Sequence, residues 1–126
     1  MSNPRILVID DEAIVRISCQ KCLIPEGYDV DVASSGIEGM QLTKEHRYDL
    51  ILTDLKMPDM DGMEFLTRIR SAQPETKVIM ITGYSTVEHA VKAIKLGADN
   101  YLEKPFTPDG LVAAVREALD SGRNKK

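Results

Sequence analysis

The chain has 126 residues, 43% of them hydrophobic, and a formal charge of −4. That length suits one domain, and a domain of this size buries roughly two-thirds of its unfolded surface, so it can fold without disulfides or a structural metal. The acidic balance argues against direct nucleic-acid binding, Arg123, Lys125 and Lys126 being too few to reverse it, and no apolar run approaches the roughly 20 residues of a membrane helix.

Strand and helix signals alternate along the chain. Ile6 to Ile9 reads as a strand so close to the N-terminus that no room is left for a signal peptide, which points to the cytoplasm. Ala13 to Leu23 reads as a helix stopped by Pro25 and Gly27. Cys19 and Cys22 fall inside it at the spacing of a buried face, beside Val15 and Leu23. With no second cysteine pair and no suitably spaced histidine, core packing is a better reading than redox or metal chemistry. Asp29 to Ala33 alternates like an edge strand. Ser35 with Glu38 forms a capping box for the next helix, which Gly39 weakens. His46 and His89 each stand alone among charged helical residues and read as surface histidines.

Asp49 to Thr53 is the third strand, and its run Leu50-Ile51-Leu52 suits a strand covered on both faces. Met63 to Ser71 is the third helix, with Phe65, Leu66 and Ile69 along one side. Lys77 to Ile81 is the fourth strand. Ser85 with Glu88 reads as a capping box opening a helix with Val87, Ala90, Val91 and Ile94 on one face, ended by Gly97. Asn100 to Glu103 is the fifth strand. Thr107 caps the last helix, with Pro108 at its first position and Leu111, Val112, Val115 and Leu119 inward. Residues 1–120 make the domain, and 121–126 read as a frayed tail or the start of a linker. Five strand–helix pairs imply an α/β, doubly wound parallel sheet with right-handed crossovers and helices on both faces.

The stretch ILTDLKMPDMDG, residues 51–62, holds three aspartates. A calcium loop with Gly62 at its sixth position would put Met57 first and Arg68 twelfth, so both outer ligands are missing. Met57-Pro58 breaks regular structure, Asp61 reads as the cap of the third helix, and Asp59 as a solvated loop residue. That leaves Asp54 at a strand end, where open α/β sheets place their binding crevices.

Polar residues gather at the other strand ends too: Asp10-Asp11-Glu12, Thr82-Gly83 and Lys104-Pro105. Taken alone, Asp11 reads as readily as a helix cap. Four ends carrying acid, acid, hydroxyl and ammonium are much harder to assign to capping. Three carboxylates at about 4–5 Å repel by roughly 3–4 kcal/mol per pair at an effective dielectric near 20, so a cation is expected. Magnesium fits as a hard ion commonly shared between one or two carboxylates and a phosphate, with manganese an alternative. Asp10, Asp11 and Asp54, one divalent ion and Lys104 sum to zero charge. Asp54 could then act as a nucleophile toward phosphorus, with Thr82 donating a hydrogen bond, Gly83 leaving space, and Lys104 steadying the transition state.

From Arg5 to about Leu119 the chain resembles the receiver domain of two-component response regulators, the CheY-like family, through VIDDE, TDLKMPDMDG, ITG and YLEKPF in that order. The resemblance implies strand order 2-1-3-4-5, as in the flavodoxin-like folds, and a phosphorylation-activated signalling switch. It implies that Asp54 is the phosphoacceptor, Asp11 a direct magnesium ligand, Asp10 a ligand mainly through water, and Lys56 a ligand by its backbone carbonyl. Thr82 and Lys104 would bind phosphoryl oxygens, and Lys104-Pro105 would be a cis peptide. Tyr101 would be a switch aromatic coupled to Thr82, against the alternative of an aromatic packing at a sheet edge. Lys56 and Tyr84 would tune phosphoryl loss, against the alternative of solvated loop residues.

The implied partners are a sensor histidine kinase or a phosphotransfer protein. Further partners are a C-terminal effector domain, such as an ATPase-type transcriptional activator, and a second copy through the fourth helix, fifth strand and fifth helix. Three competing functions fit less well. A haloacid-dehalogenase-type phosphohydrolase carries Asp-x-Asp after the first strand, where this chain has Asp10-Asp11-Glu12. A degenerate docking receiver would usually lack the acceptor or the lysine, and a flavodoxin-like electron carrier would have a Ser/Thr-rich phosphate loop after the first strand.

Overall fold

A computed structural model describes residues 3–83 and 86–121. Strands and helices alternate as β1 (Arg5–Ile9), α1 (Ala13–Leu23), β2 (Asp29–Ala33), α2 (Gly36–Glu45), β3 (Leu50–Asp54), α3 (Gly62–Ala72), β4 (Lys77–Thr82), α4 (Val87–Lys95), β5 (Asn100–Glu103) and α5 (Pro108–Ser121). A short 3-10 turn, Ile24–Glu26, follows α1 and ends at Gly27, whose φ of 95° is one that a side chain would strain. The strands form one parallel sheet in the order β2-β1-β3-β4-β5, as expected. The winding reverses between β1 and β3, which opens a crevice at their C-terminal ends.

Strand periodicity divides the core in two. Ile6, Val8, Leu50, Leu52, Ile79 and Ile81 point to the side covered by α1 and α5, where Cys19, Leu23, Leu111 and Val115 meet them. Leu7, Ile9, Ile51, Val78 and Met80 point the other way, against α2, α3 and α4, with Phe65, Leu66 and Ile69 at the centre. Cys19 is fully buried and Cys22 partly so, which places the pair in packing rather than at a site. Burial pushes the Cys19 thiol up to about 12.

Several local expectations need adjustment. β3 runs through Asp54 and β4 through Thr82, so both polar residues still belong to the ladder. Glu38 does not close its box on Ser35. Its carboxylate accepts from the amide and hydroxyl of Ser34, while Ser35 accepts from the Glu38 amide. Thr86, not Ser85, caps α4, its hydroxyl accepting from the His89 amide; Ser85 lies outside the described residues. The larger finding concerns the face of α4. Ala93 is its one buried residue, whereas Val87, Val91 and Ile94 are 80, 46 and 50% exposed. The apolar stripe faces solvent, because α4 leans on β5 through its small alanine side. The last helix includes Ser121, one residue beyond the expected domain end, and residues 122–126 lie outside the described residues.

Candidate functional site

Parallel register delivers the acids to one place. Val8 pairs with Leu52 and Ile9 with Thr53, so the next position on β1, Asp10, lies beside Asp54. Period-2 alternation puts Asp10 on the side of Ile6 and Val8, and Asp54 on the side of Leu50 and Leu52, which is the same side of the sheet. Asp11 follows in the loop. One carboxylate oxygen from each of Asp10, Asp11 and Asp54 lies within 4.8 Å of the others. Asp10 is fully buried, Asp54 is 5% exposed and Asp11 is open to solvent.

Lys104 arrives from the turn after β5. Its amide donates to the Thr82 carbonyl at 2.9 Å, and the Lys104-Pro105 peptide is cis, as the resemblance implied. Its ammonium then reaches Asp10 Oδ2 at 2.8 Å, Glu12 Oε1 at 3.1 Å and Asp54 Oδ2 at 3.2 Å. Burial works against the charge on Lys104, but hydrogen bonds to Asp10 and Glu12 and the fields of Asp10 and Asp54 outweigh it, so its pKa is raised. Burial also raises the Asp10 pKa, against the pull of Lys104 and of the Glu12 amide that donates to its Oδ1 at 2.9 Å. Arg16 braces the same loop, its guanidinium donating to the Asp10 carbonyl at 2.7 Å.

The charge count made from three aspartates omitted Glu12. With it, four carboxylates face one ammonium. Asp10 Oδ2 is fully buried, and beyond the Lys104 ammonium at 2.8 Å no group among the described residues bonds it. A buried carboxylate oxygen in that condition, among clustered acid oxygens, fits a small hard cation. Asp10, Asp11 and Asp54 are the side chains that could hold one, and an open cleft of about 500 Å³ lined by Asp11, Glu12, Asp54, Gly83 and Lys104 gives access.

The remaining candidates divide. Lys56 is exposed, and its amide points at Asp54 Oδ1 from 3.4 Å, which sets its backbone next to the acceptor. Thr82 is fully buried at the end of β4. Tyr101 pairs with Met80, two residues before Thr82, so the ring and the hydroxyl lie on the same side of the sheet as diagonal neighbours. Tyr101 is partly buried and packs on the core facing α2, α3 and α4. Tyr84 lies outside the described residues.

Two residues escaped the sequence reading. Glu12 was legible only as a third acid in a row. Asp59, expected to be merely solvated, accepts from the amides of Gly36 at 3.0 Å and Ile37 at 2.8 Å, so it pins the loop after Asp54 to the start of α2. Asp61 caps α3 as expected, accepting from the Met63 amide at 3.1 Å.

The family model described as the response regulator receiver domain matches residues 6–116. CusR, a transcriptional regulatory protein of Escherichia coli K12, is 37% identical over 118 residues, covering 94% of this chain and 52% of CusR. The chain thus spans about half the length of the curated relatives it matches. A CheY-like receiver domain from Methanospirillum hungatei JF-1 superposes with a TM-score of 0.94 at 36% identity, over 99% of this chain and 100% of that one. The beryllofluoride-activated NtrC4 receiver domain dimer gives 0.89 at 39% identity, over 93% of this chain and 97% of that one.

Proposed function

The chain belongs to the response regulator receiver family, and from that premise we propose that Asp54 is its phosphoacceptor, taking a phosphoryl group from the phosphohistidine of a sensor kinase or phosphotransfer protein. The observation that carries this is the nearly buried Asp54 carboxylate, 3.2 Å from Lys104 and within 4.8 Å of both Asp10 and Asp11. Asp10, Asp11, Asp54 and the Lys56 carbonyl would hold a Mg²⁺ ion, or Mn²⁺ in its place. When bound, such an ion neutralises the acids and draws charge from the transferring phosphoryl oxygens.

The chain's own groups do the rest. An Asp54 oxygen attacks phosphorus in line as the bond to the donor nitrogen breaks. Lys104, held ammonium by its acidic neighbours, balances the charge added at Asp54. Thr82, buried at the adjacent strand end, donates its hydroxyl to a phosphoryl oxygen. Its movement frees space for Tyr101, which lies diagonally across the β4–β5 ladder. The resulting change reaches the surface of α4, β5 and α5. Val87, Val91 and Ile94 already expose an apolar stripe there, which supports its use by a second copy or an effector domain. A domain of residues 1–120 joined to a C-terminal effector agrees with relatives about twice as long, one of them a transcriptional regulatory protein. Among the described residues no helix is long and apolar enough to cross a membrane. Lys56 and Tyr84 would tune phosphoryl loss.

The test is exposure to acetyl phosphate with magnesium, followed by intact mass and NMR. One phosphoryl mass should appear and vanish in Asp54→Asn, with amide shifts reaching α4 and β5. Uptake persisting in Asp54→Asn would refute the assignment.

A further inference from the structure

We propose that Glu12 is a positioning residue that holds Lys104 in the unphosphorylated protein, so that the phosphoryl group must win the ammonium from it. This rests on Asp54 being the phosphoacceptor. Lys104 has three N–H donors and three carboxylate partners, Asp10, Glu12 and Asp54. Asp10 and Asp54 belong to the acid group that could hold a metal, and Glu12 does not.

Glu12 occupies the N-cap of α1, yet its side chain makes no capping hydrogen bond. A carboxylate there has free helix amides and a favourable dipole at hand. Glu12 instead reaches Lys104, 92 residues away along the chain, from a side chain 58% exposed. The side chain thus serves the ammonium and not the helix end. Asp10 and Asp54 are packed into strand ends, whereas Glu12 is free to swing.

Phosphorylation alters the balance at Lys104. A phosphoryl group carries about −1.5 to −2 charges and three acceptor oxygens, in place of one carboxylate charge. Glu12 and Asp54 contact the same nitrogen, at 3.1 and 3.2 Å, so Glu12 occupies one of its three N–H groups that the added phosphoryl oxygens would otherwise take, and repels the arriving anion. Once displaced, its carboxylate has the amides at the start of α1 to accept from. At ~6 Å and an effective dielectric of 40–80, one unit charge changes the binding of a singly charged anion roughly three- to tenfold.

The experiment compares wild type, Glu12→Gln and Glu12→Asp. Both variants should melt close to wild type, because exposed ion pairs contribute little. With magnesium, Glu12→Gln should bind beryllofluoride roughly three- to tenfold more tightly. It should also reach half-maximal modification at correspondingly less acetyl phosphate, with little change in maximal rate. Glu12→Asp keeps the charge but is one methylene short, so its analogue affinity should fall between wild type and Glu12→Gln while its hold on Lys104 is lost. In metal-free protein without donor, a limiting amine acetylating reagent should label Lys104 faster in both variants, read by peptide mapping. Unchanged analogue affinity or unchanged labelling in Glu12→Gln overturns the proposal, as does wild-type labelling of Lys104 in Glu12→Asp. Failure of wild type to be modified at Asp54 would instead sink the phosphoacceptor reading, while the labelling still reports on the hold exerted by Glu12.

Discussion

Removing one of the clustered acids should stabilise the metal-free protein. Asp11→Asn is the cleanest choice, because Lys104 pairs with Asp10, Glu12 and Asp54 and would keep all three. The Asp11 carboxylate shares a 4.8 Å neighbourhood with Asp10 and Asp54. At that separation a pair of unit charges repels by ~0.9 kcal/mol in water and more at lower dielectric. Asp11 is exposed, so the watery figure applies, and the Lys104 ammonium in the same cleft offsets part of the repulsion. The two repulsions together come to about 1 kcal/mol, or a rise of roughly 3–6 °C in Tm. Thermal unfolding in EDTA reads this directly. Added magnesium should reverse the order. A ligand at ten times its Kd stabilises wild type by ~1.4 kcal/mol, and the variant, short of one acid oxygen, should gain much less. The two melting curves should therefore cross as magnesium is titrated in. A variant no more stable than wild type in EDTA, or one that gains as much from magnesium, would refute the reasoning.

Three further outcomes are expected. Asp59→Asn should lower Tm by roughly 2–5 °C at pH 7 through weakened capping of α2. The Ile37 amide, aided by that of Gly36, holds the Asp59 pKa below its ordinary value. The folded protein therefore takes up this proton later than the unfolded chain, so the stabilisation is present above about pH 4 and lost as pH falls through the folded pKa. The Tm difference should accordingly shrink as the pH is lowered below about 4, and a difference that does not shrink would refute it. Gly62→Ala should destabilise by about 1–3 kcal/mol despite alanine's better helix propensity. An added Cβ would meet the Leu55 Cα and carbonyl at 2.7 Å and press on the Asp54 carbonyl, so acetyl phosphate uptake should fall together with Tm. Cys22 should react with a thiol reagent in the native state while Cys19, fully buried with its thiol pushed up to about 12, stays silent until denaturant is added. Mass mapping decides this.

Most of the site could be read because strand ends are easy to find and a parallel sheet aligns them. Asp54 after Leu50-Ile51-Leu52, and Asp10 after Ile6 to Ile9, needed only the alternation of strand and helix to be placed together. The link from Lys104 to these acids came from the family resemblance and the charge balance, not from periodicity. Glu12 and Asp59 were missed for one physical reason. An acidic residue near a turn has several acceptors' roles open to it, and tertiary neighbours choose among them. Glu12 chose an ammonium 92 residues away over its own helix, and Asp59 chose the amides of Gly36 and Ile37, more than twenty residues before it.

α4 differs. Its apolar spacing is right, but the spacing left open whether that face points to the core or to solvent. Periodicity reports that residues share a face, and only packing decides whether anything covers that face. Here the helix docks through Ala93, whose small side chain permits a close approach, and leaves Val87, Val91 and Ile94 in solvent. Burying a valine or isoleucine is worth about 1.5–3 kcal/mol, so a covered face would have favoured folding. An element held by few buried side chains can be displaced by a few kcal/mol, which is the scale that one new charge at Asp54 can supply. The weak seating of α4 and its uncovered apolar stripe are thus two aspects of one arrangement. The same lack of internal packing that would let the helix move on the proposed phosphorylation leaves an apolar face that the proposed partner would cover.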